Sequence, residues 1–243
     1  MTELKVLGNY PPVQQVHKNK LPKAFGDKDK NKIINHKNKV RAATLAGSVA
    51  ASGLFLSALE KYNNPKNFKF SNLFKQNFKN PIKVMGLATV TMLGGLAGGL
   101  LSDDKSKRKA KVKEAIHQFI GNILVPISIV GAAVTAIEKQ NYPRKKEIIL
   151  SGIASIAGVV IGIITGNYAA GKINEKLFKE NDKRHIGPKD FSIHVDDIMT
   201  LIALTSNGEK VQSFIGKALP AIFLLCGYEA GTSKLHDNPE EIH

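Results

Sequence analysis

Apolar and polar residues alternate along this chain in blocks rather than by single positions. Five apolar runs cover residues 42–59, 84–101, 115–137, 148–171 and 211–228, separated by segments rich in Lys and Asn. The first four runs contain no Asp, Glu, Lys or Arg, and the fifth contains Lys217. A helix rises about 1.5 Å per residue, so roughly 20 apolar residues cross a hydrocarbon core of about 30 Å. A charge at the centre of such a helix costs about 2.5–3.5 kcal/mol. Exclusion of charge from four runs, in a chain that is 23% charged, therefore predicts membrane-spanning helices. A soluble protein can bury helices that are apolar all round. This chain has few amphipathic helices left to cover four or five of them. The fold class expected is all-α: a polytopic membrane helix bundle of about five spans, with short interfacial amphipathic helices.

The run 148–171 also carries a small residue at every fourth position: Ala154, Gly158, Gly162, Gly166, Ala170. The second run repeats the device with Gly94 and Gly98, offset by Gly95 and Gly99. Glycine in a soluble helix costs about 1 kcal/mol relative to Ala. In lipid that cost is offset where two backbones pack closely. Gly-zipper packing is expected, either between the second and fourth runs of one chain or between copies in a homo-oligomer or pore wall. A faint internal repeat aligns Gly94 with Gly158 and Gly98 with Gly162, and Phe119-Ile120-Gly121 with Phe214-Ile215-Gly216. In a five-span chain it would be a parallel repeat.

Three zones follow. Residues 1–41 hold ten Lys or Arg against three acids, with Gly and Pro interspersed, and read as a mobile basic tail. Residues 42–235 form the transmembrane domain, and 236–243 an acidic C-terminal tail. No cleavable signal-peptide pattern precedes the first run, which is expected to act as an uncleaved anchor. Two connections read as interfacial. In 68–81, Phe70, Phe74 and Phe78 fall at i, i+4 and i+8 among Lys69, Lys75 and Lys79, with Ser71 as cap and Pro81 as stop, which reads as a basic amphipathic helix or else a loop packed on the bundle. The other is 193–205, IHVDDIMTLIALT.

Charge then sets orientation and partners. The net charge is +15. With five spans, the side holding the N-terminus carries 23 Lys and Arg against 11 on the other. The positive-inside rule places that side in the cytoplasm, across a plasma membrane or bacterial inner membrane. Lipid bilayer and anionic headgroups are the expected partners. Nucleic acid is not, because the chain has only four Arg and its basic segments lack interleaved aromatics.

Candidate chemistry is sparse. CxxC, HExxH, Walker A and GxGxxG are all missing, so neither an enzyme nor a cofactor is expected. The single cysteine, Cys226, allows no intrachain disulfide. Asp103-Asp104 and Asp196-Asp197 flank runs; such pairs can hold a hard cation or mark a gate, but Asp103-Asp104 reads better as a cap for the next helix. His194 beside Asp196 and Asp197 lacks converging ligands, so no metal site is expected. His117 and Asn122 in the third run can bridge helices or relay protons. Lys217 and Glu229 are the charges of the fifth run region; twelve residues, about 18 Å along a helix, keep them from pairing. Pro126 and Pro220 should kink their helices. The spans hold few polar side chains, which favours a structural or interaction protein. The alternative is a small channel or transporter built on the internal repeat.

Overall fold

The computed structural model describes residues 27–78, 80–180 and 209–233. The segment 193–205, with His194, Asp196 and Asp197, lies outside them, as does the acidic stretch 236–243. The described residues are helical, without a strand. The long elements are α1 (Asp27–Asn63), α2 (Pro81–Ser102), α3 (Arg108–Ile116), a π-helical segment (His117–Leu124), α4 (Val125–Glu138), α5 (Arg144–Phe178) and α6 (Glu209–Thr232). Short 3-10 turns cover Phe70–Lys75 and Lys105–Lys107. Four helical stretches are long and apolar enough to cross a membrane: Asn31–Asn63, Pro81–Ser102, Lys105–Glu138 and Arg144–Phe178. The fifth apolar run is also helical, within α6, but is not one of those four.

Three local expectations give way. Helix α1 starts at Asp27, so residues 27–41 of the expected tail are helical. No proline interrupts the chain between Pro22 and Pro65, so nothing stops the helix there. The Phe70–Phe78 segment is not an amphipathic α-helix. It forms a 3-10 turn at three residues per turn, and its aromatics diverge: Phe78 is fully buried while Phe70 and Phe74 stay exposed. Pro81 opens α2 at its first turn rather than ending a helix, with the Asn80 side chain accepting the Ile82 N–H at 2.8 Å. Pro126 is the second residue of α4, two positions past the end of the π-helical segment. It has no N–H for Asn122 and its ring crowds that carbonyl, and the wider helix upstream relieves the crowding.

Helices α1, α2 and α6 pack together, and α5 packs on α4 and the π-helical segment; the α3–π region joins both groups. The glycines sit in these seams. Gly47 and Gly94 abut each other, Gly98 abuts Ala43 and Thr44, Gly95 abuts Gly227, and Gly99 abuts Gly231. On α5, a Cβ on Gly162 would lie 2.5 Å from Pro126 Cα, one on Gly166 2.9 Å from Gly121 Cα, and one on Gly158 3.2 Å from Val130. The second and fourth runs therefore do not face each other through their glycines. Each packs on the helix preceding it, and the two aligned glycine pairs hold equivalent places in two helical hairpins. Ala154 is only half-buried, and Ser151 and Ser155 take the inward positions. A strict four-residue spacing drifts about 40° per step around a helix of 3.6 residues per turn.

An apolar core of Leu56, Val84, Leu87, Met92, Ile123, Leu219 and Phe223 is buried, but on α5 and along the middle of α1 the side chains are distributed inside out. On α5 the buried positions are Ser151, Ser155, Gly158, Gly162, Ile163, Gly166, Asn167, Ala170, Gly171 and Asn174, of which Ile163 is the one large apolar side chain, whereas Ile149, Ile153, Ile156, Ile161 and Tyr168 are more than half exposed. On α1, Thr44, Ser48 and Ser52 are buried and Leu45, Val49 and Leu54 face outward. Water would favour the reverse.

Candidate functional site

A file of hydrogen-bonding and charged groups runs along α3 and the π-helical segment. Lys111, Glu114, Gln118 and Asn122 follow at spacings of three, four and four, which keeps them near one helix face. From Lys111 to Asn122 the file descends about 16 Å. Gln118, 1% exposed, donates its amide to Glu114 Oε1 at 3.0 Å and to Glu229 Oε2 of α6 at 2.7 Å. Its oxygen accepts the Asn122 amide at 2.9 Å. His117, on the same segment, is buried beside them. From α5, Asn167 donates to its own Ile163 carbonyl at 3.0 Å and packs against Gly121, while Asn174 donates to the Lys113 carbonyl at 3.2 Å. Two carboxylates from different helices thus meet on one amide. An intramolecular hydrogen bond contributes about 1 kcal/mol net, and one to a charged acceptor about 1.5–3 kcal/mol.

At the head of the file sits a charge knot. The Lys111 side chain is fully buried, with Nζ 3.0 Å from Asp103 Oδ2. The same ammonium donates to the carbonyls of Gly231 and Ser233, the latter at 3.3 Å, at the C-terminus of α6. Negative helix ends attract cations, so this lysine acts as a cap supplied by another helix. Asp103 Oδ1 bonds His36 Nε2 of α1 at 3.0 Å and accepts the Asp104 N–H at 2.9 Å, with Lys107 Nζ at 3.6 Å. Burial alone would raise the Asp103 pKa. The His36 hydrogen bond, the Asp104 amide and Lys111 outweigh it and hold the carboxyl at about 2. Four helices meet in this knot.

The knot corrects the capping expectation for Asp103-Asp104. Asp104 makes no side-chain cap, and α3 begins after Lys107 without one. Asp103 ends α2 and neutralises Lys111 instead. His36, Asp103 and Asp104 also place one ligand atom each within 4.8 Å of one another. Lys111 and Lys107 already supply positive charge to Asp103, and Asp104 is 66% exposed. The donor set fits an ion pair better than a divalent cation.

A second buried carboxylate closes the other end of α1. Glu60 Oε1 accepts from Asn64 at 3.0 Å and Asn72 at 3.1 Å, and Oε2 from Gln76 at 2.8 Å. Asn63 donates to Gln76 at 2.9 Å, so the 3-10 turn is clamped to the end of α1. His36 and Glu60 are 24 residues apart, about 36 Å along the helix.

Of the other residues singled out from sequence, Lys217 is exposed and stays apart from Glu229, which lies on Gln118. Sequence reasoning passed over Glu60, Lys111, Glu114 and Asn174. The spacing of 111, 114, 118 and 122 was a readable signal, hidden by the many lysines of 105–113. Glu60 had none, because its partners come from a turn that only the fold brings back. No family model, curated protein or solved structure matches the chain.

Proposed function

We propose that this chain is a polytopic integral membrane protein with a structural or interaction role, built as one self-contained bundle. The inside-out side-chain distribution carries the reading: outward Ile, Leu and Val on α1 and α5 suit lipid, while inward Gly, Ser and Asn suit close helix contact. The depth of the charged groups agrees with it. Arg41 and Glu60 bracket about 28 Å of α1, close to the hydrocarbon thickness. Helix α6 serves as a fifth span, since it meets the Phe70–Lys75 turn at one end of the bundle and Lys111 at the other. The end holding His36, Asp103 and Lys111 then faces the cytoplasm, by the bias of Lys and Arg. The glycine seams lie within one chain, so partners would meet the exposed apolar faces or the basic ends.

The polar file supports a structural role because its bonds tie helices together, Gln118 to Glu229 of α6 and Asn174 of α5 to the Lys113 carbonyl. Membranes washed at alkaline pH should retain the protein; release into the supernatant overturns the membrane reading. Transport is the second reading, favoured by the meeting of Glu114 and Glu229 on Gln118 beside a π-helical segment. Proteoliposomes separate the two. A structural protein leaves an imposed proton or potassium gradient at the rate of empty vesicles. Gradient collapse that Gln118→Leu abolishes would favour transport.

A further inference from the structure

Arg41 stands apart from the other charges of the bundle. It lies on α1 at the edge of the apolar run, and among the described residues its guanidinium makes no hydrogen bond or ion pair; its Nε is buried without a partner. In the knot at this end of α1, Asp103 is committed to His36, Lys111 and Lys107, and Asp104 faces His36 at 3.9 Å rather than Arg41. Because Gly98 abuts Ala43 and Thr44, Arg41 lies level with the last turn of α2, whose Leu101 is exposed. Lys37 is one turn above Arg41 on the same stripe and also has no ion pair among the described residues. One and two turns below come Leu45 and Val49, both facing outward. The stripe thus reads cation, cation, apolar, apolar from the end of the bundle inward. A phospholipid has that order: phosphate at headgroup depth, acyl chain beneath. A guanidinium matches a phosphate in charge and donor geometry, and Arg41, partly exposed and without a protein acceptor among the described residues, leaves its outer nitrogens to such a ligand.

We propose that Arg41 and Lys37 bind the phosphate of one anionic phospholipid, whose acyl chain lies along Leu45 and Val49. The proposal rests on the membrane reading above and adds a specific lipid contact to it. Leu45 and Val49 continue the lipid-facing surface of α1, which commits the occupant to a lipid rather than a soluble anion or a peptide.

The test uses purified full-length protein titrated with phosphatidylglycerol or with phosphatidylcholine of the same chains, with retained lipids counted by native mass spectrometry. Wild type should retain one phosphatidylglycerol with about tenfold preference over phosphatidylcholine, the order of one charge-assisted bond. Arg41→Gln should bring the preference near unity, and Arg41→Lys should leave it intermediate. Lys61→Gln, at the other end of α1, should change nothing. Thermal unfolding in phosphatidylcholine alone should be the same for wild type and Arg41→Gln, while the rise on adding phosphatidylglycerol is lost in the variant. Should Arg41→Gln fail to fold, Lys37→Gln should show the same loss of preference. Full preference in the folded Gln variants overturns the proposal. So does equal loss in Lys61→Gln, or displacement of the lipid by inorganic phosphate, which would mark a site for free anions. Alkaline release of the protein from membranes is a different failure, that of the membrane reading itself.

Discussion

Replacing Lys111 by Met tests the central packing claim, because Met nearly keeps the volume and removes only the charge. The wild-type ammonium is fully buried, 3.0 Å from Asp103 and bonded to two carbonyls at the end of α6. Removing one partner of a buried pair costs about 3–5 kcal/mol, since the other charge stays behind. Asp103 keeps His36, Lys107 and the Asp104 amide, which places Lys111→Met at the low end, about 3 kcal/mol. For a chain of this size that is a fall in Tm of roughly 6–12 °C. The assay is thermal unfolding in detergent, with limited proteolysis of α6 as a local readout. Asp103→Asn should cost less alone. Its combination with Lys111→Met should cost less than the sum, with a coupling above about 1 kcal/mol. A Lys111→Met protein as stable as wild type, with additive single variants, would refute the buried pair and with it the docking of α6 on α3.

The depressed carboxyl of Asp103 gives a pH signature: its stabilisation is complete above its ordinary pKa of 3.8 and is lost as pH falls toward about 2. Unfolding followed between pH 5 and pH 2 should show this loss in wild type and much less of it in Asp103→Asn; equal slopes would refute the assignment. Gly162→Leu should lower stability by about 1–3 kcal/mol, because even a Cβ meets Pro126 at 2.5 Å, whereas Gly152→Leu, with nothing within 4 Å, should be tolerated. Equal melting of the two variants in detergent would place the stripe against lipid. In a Cys226→Ala background, cysteines at the exposed positions Ser106 and Asn63 should label from opposite sides with an impermeant reagent; labelling of Ser106→Cys from outside would invert the orientation.

Run length and charge exclusion determined the all-helical architecture and its four long apolar helices from sequence, because a hydrocarbon core would penalise charge in any helix built to cross it. That physics acts one residue at a time and needs no partner. The small residues of 148–171 likewise marked a face for close approach. Which helix would approach was not legible: Gly162 meets Pro126 and Gly94 meets Gly47, each within its own hairpin, and not each other. The same holds for the buried charges. Asp103 looked like a cap for the residues just after it, since capping is a local interaction that spacing can suggest. Its actual partners come from positions 36 and 111, and Lys111 reaches on to Gly231. Glu60 ended an apolar run in sequence and became a buried acceptor only when the turn at 72–76 folded back onto it. Burial of a charge depends on groups converging from distant segments, so only the tertiary structure could decide which of the chain's many ionic residues are structural.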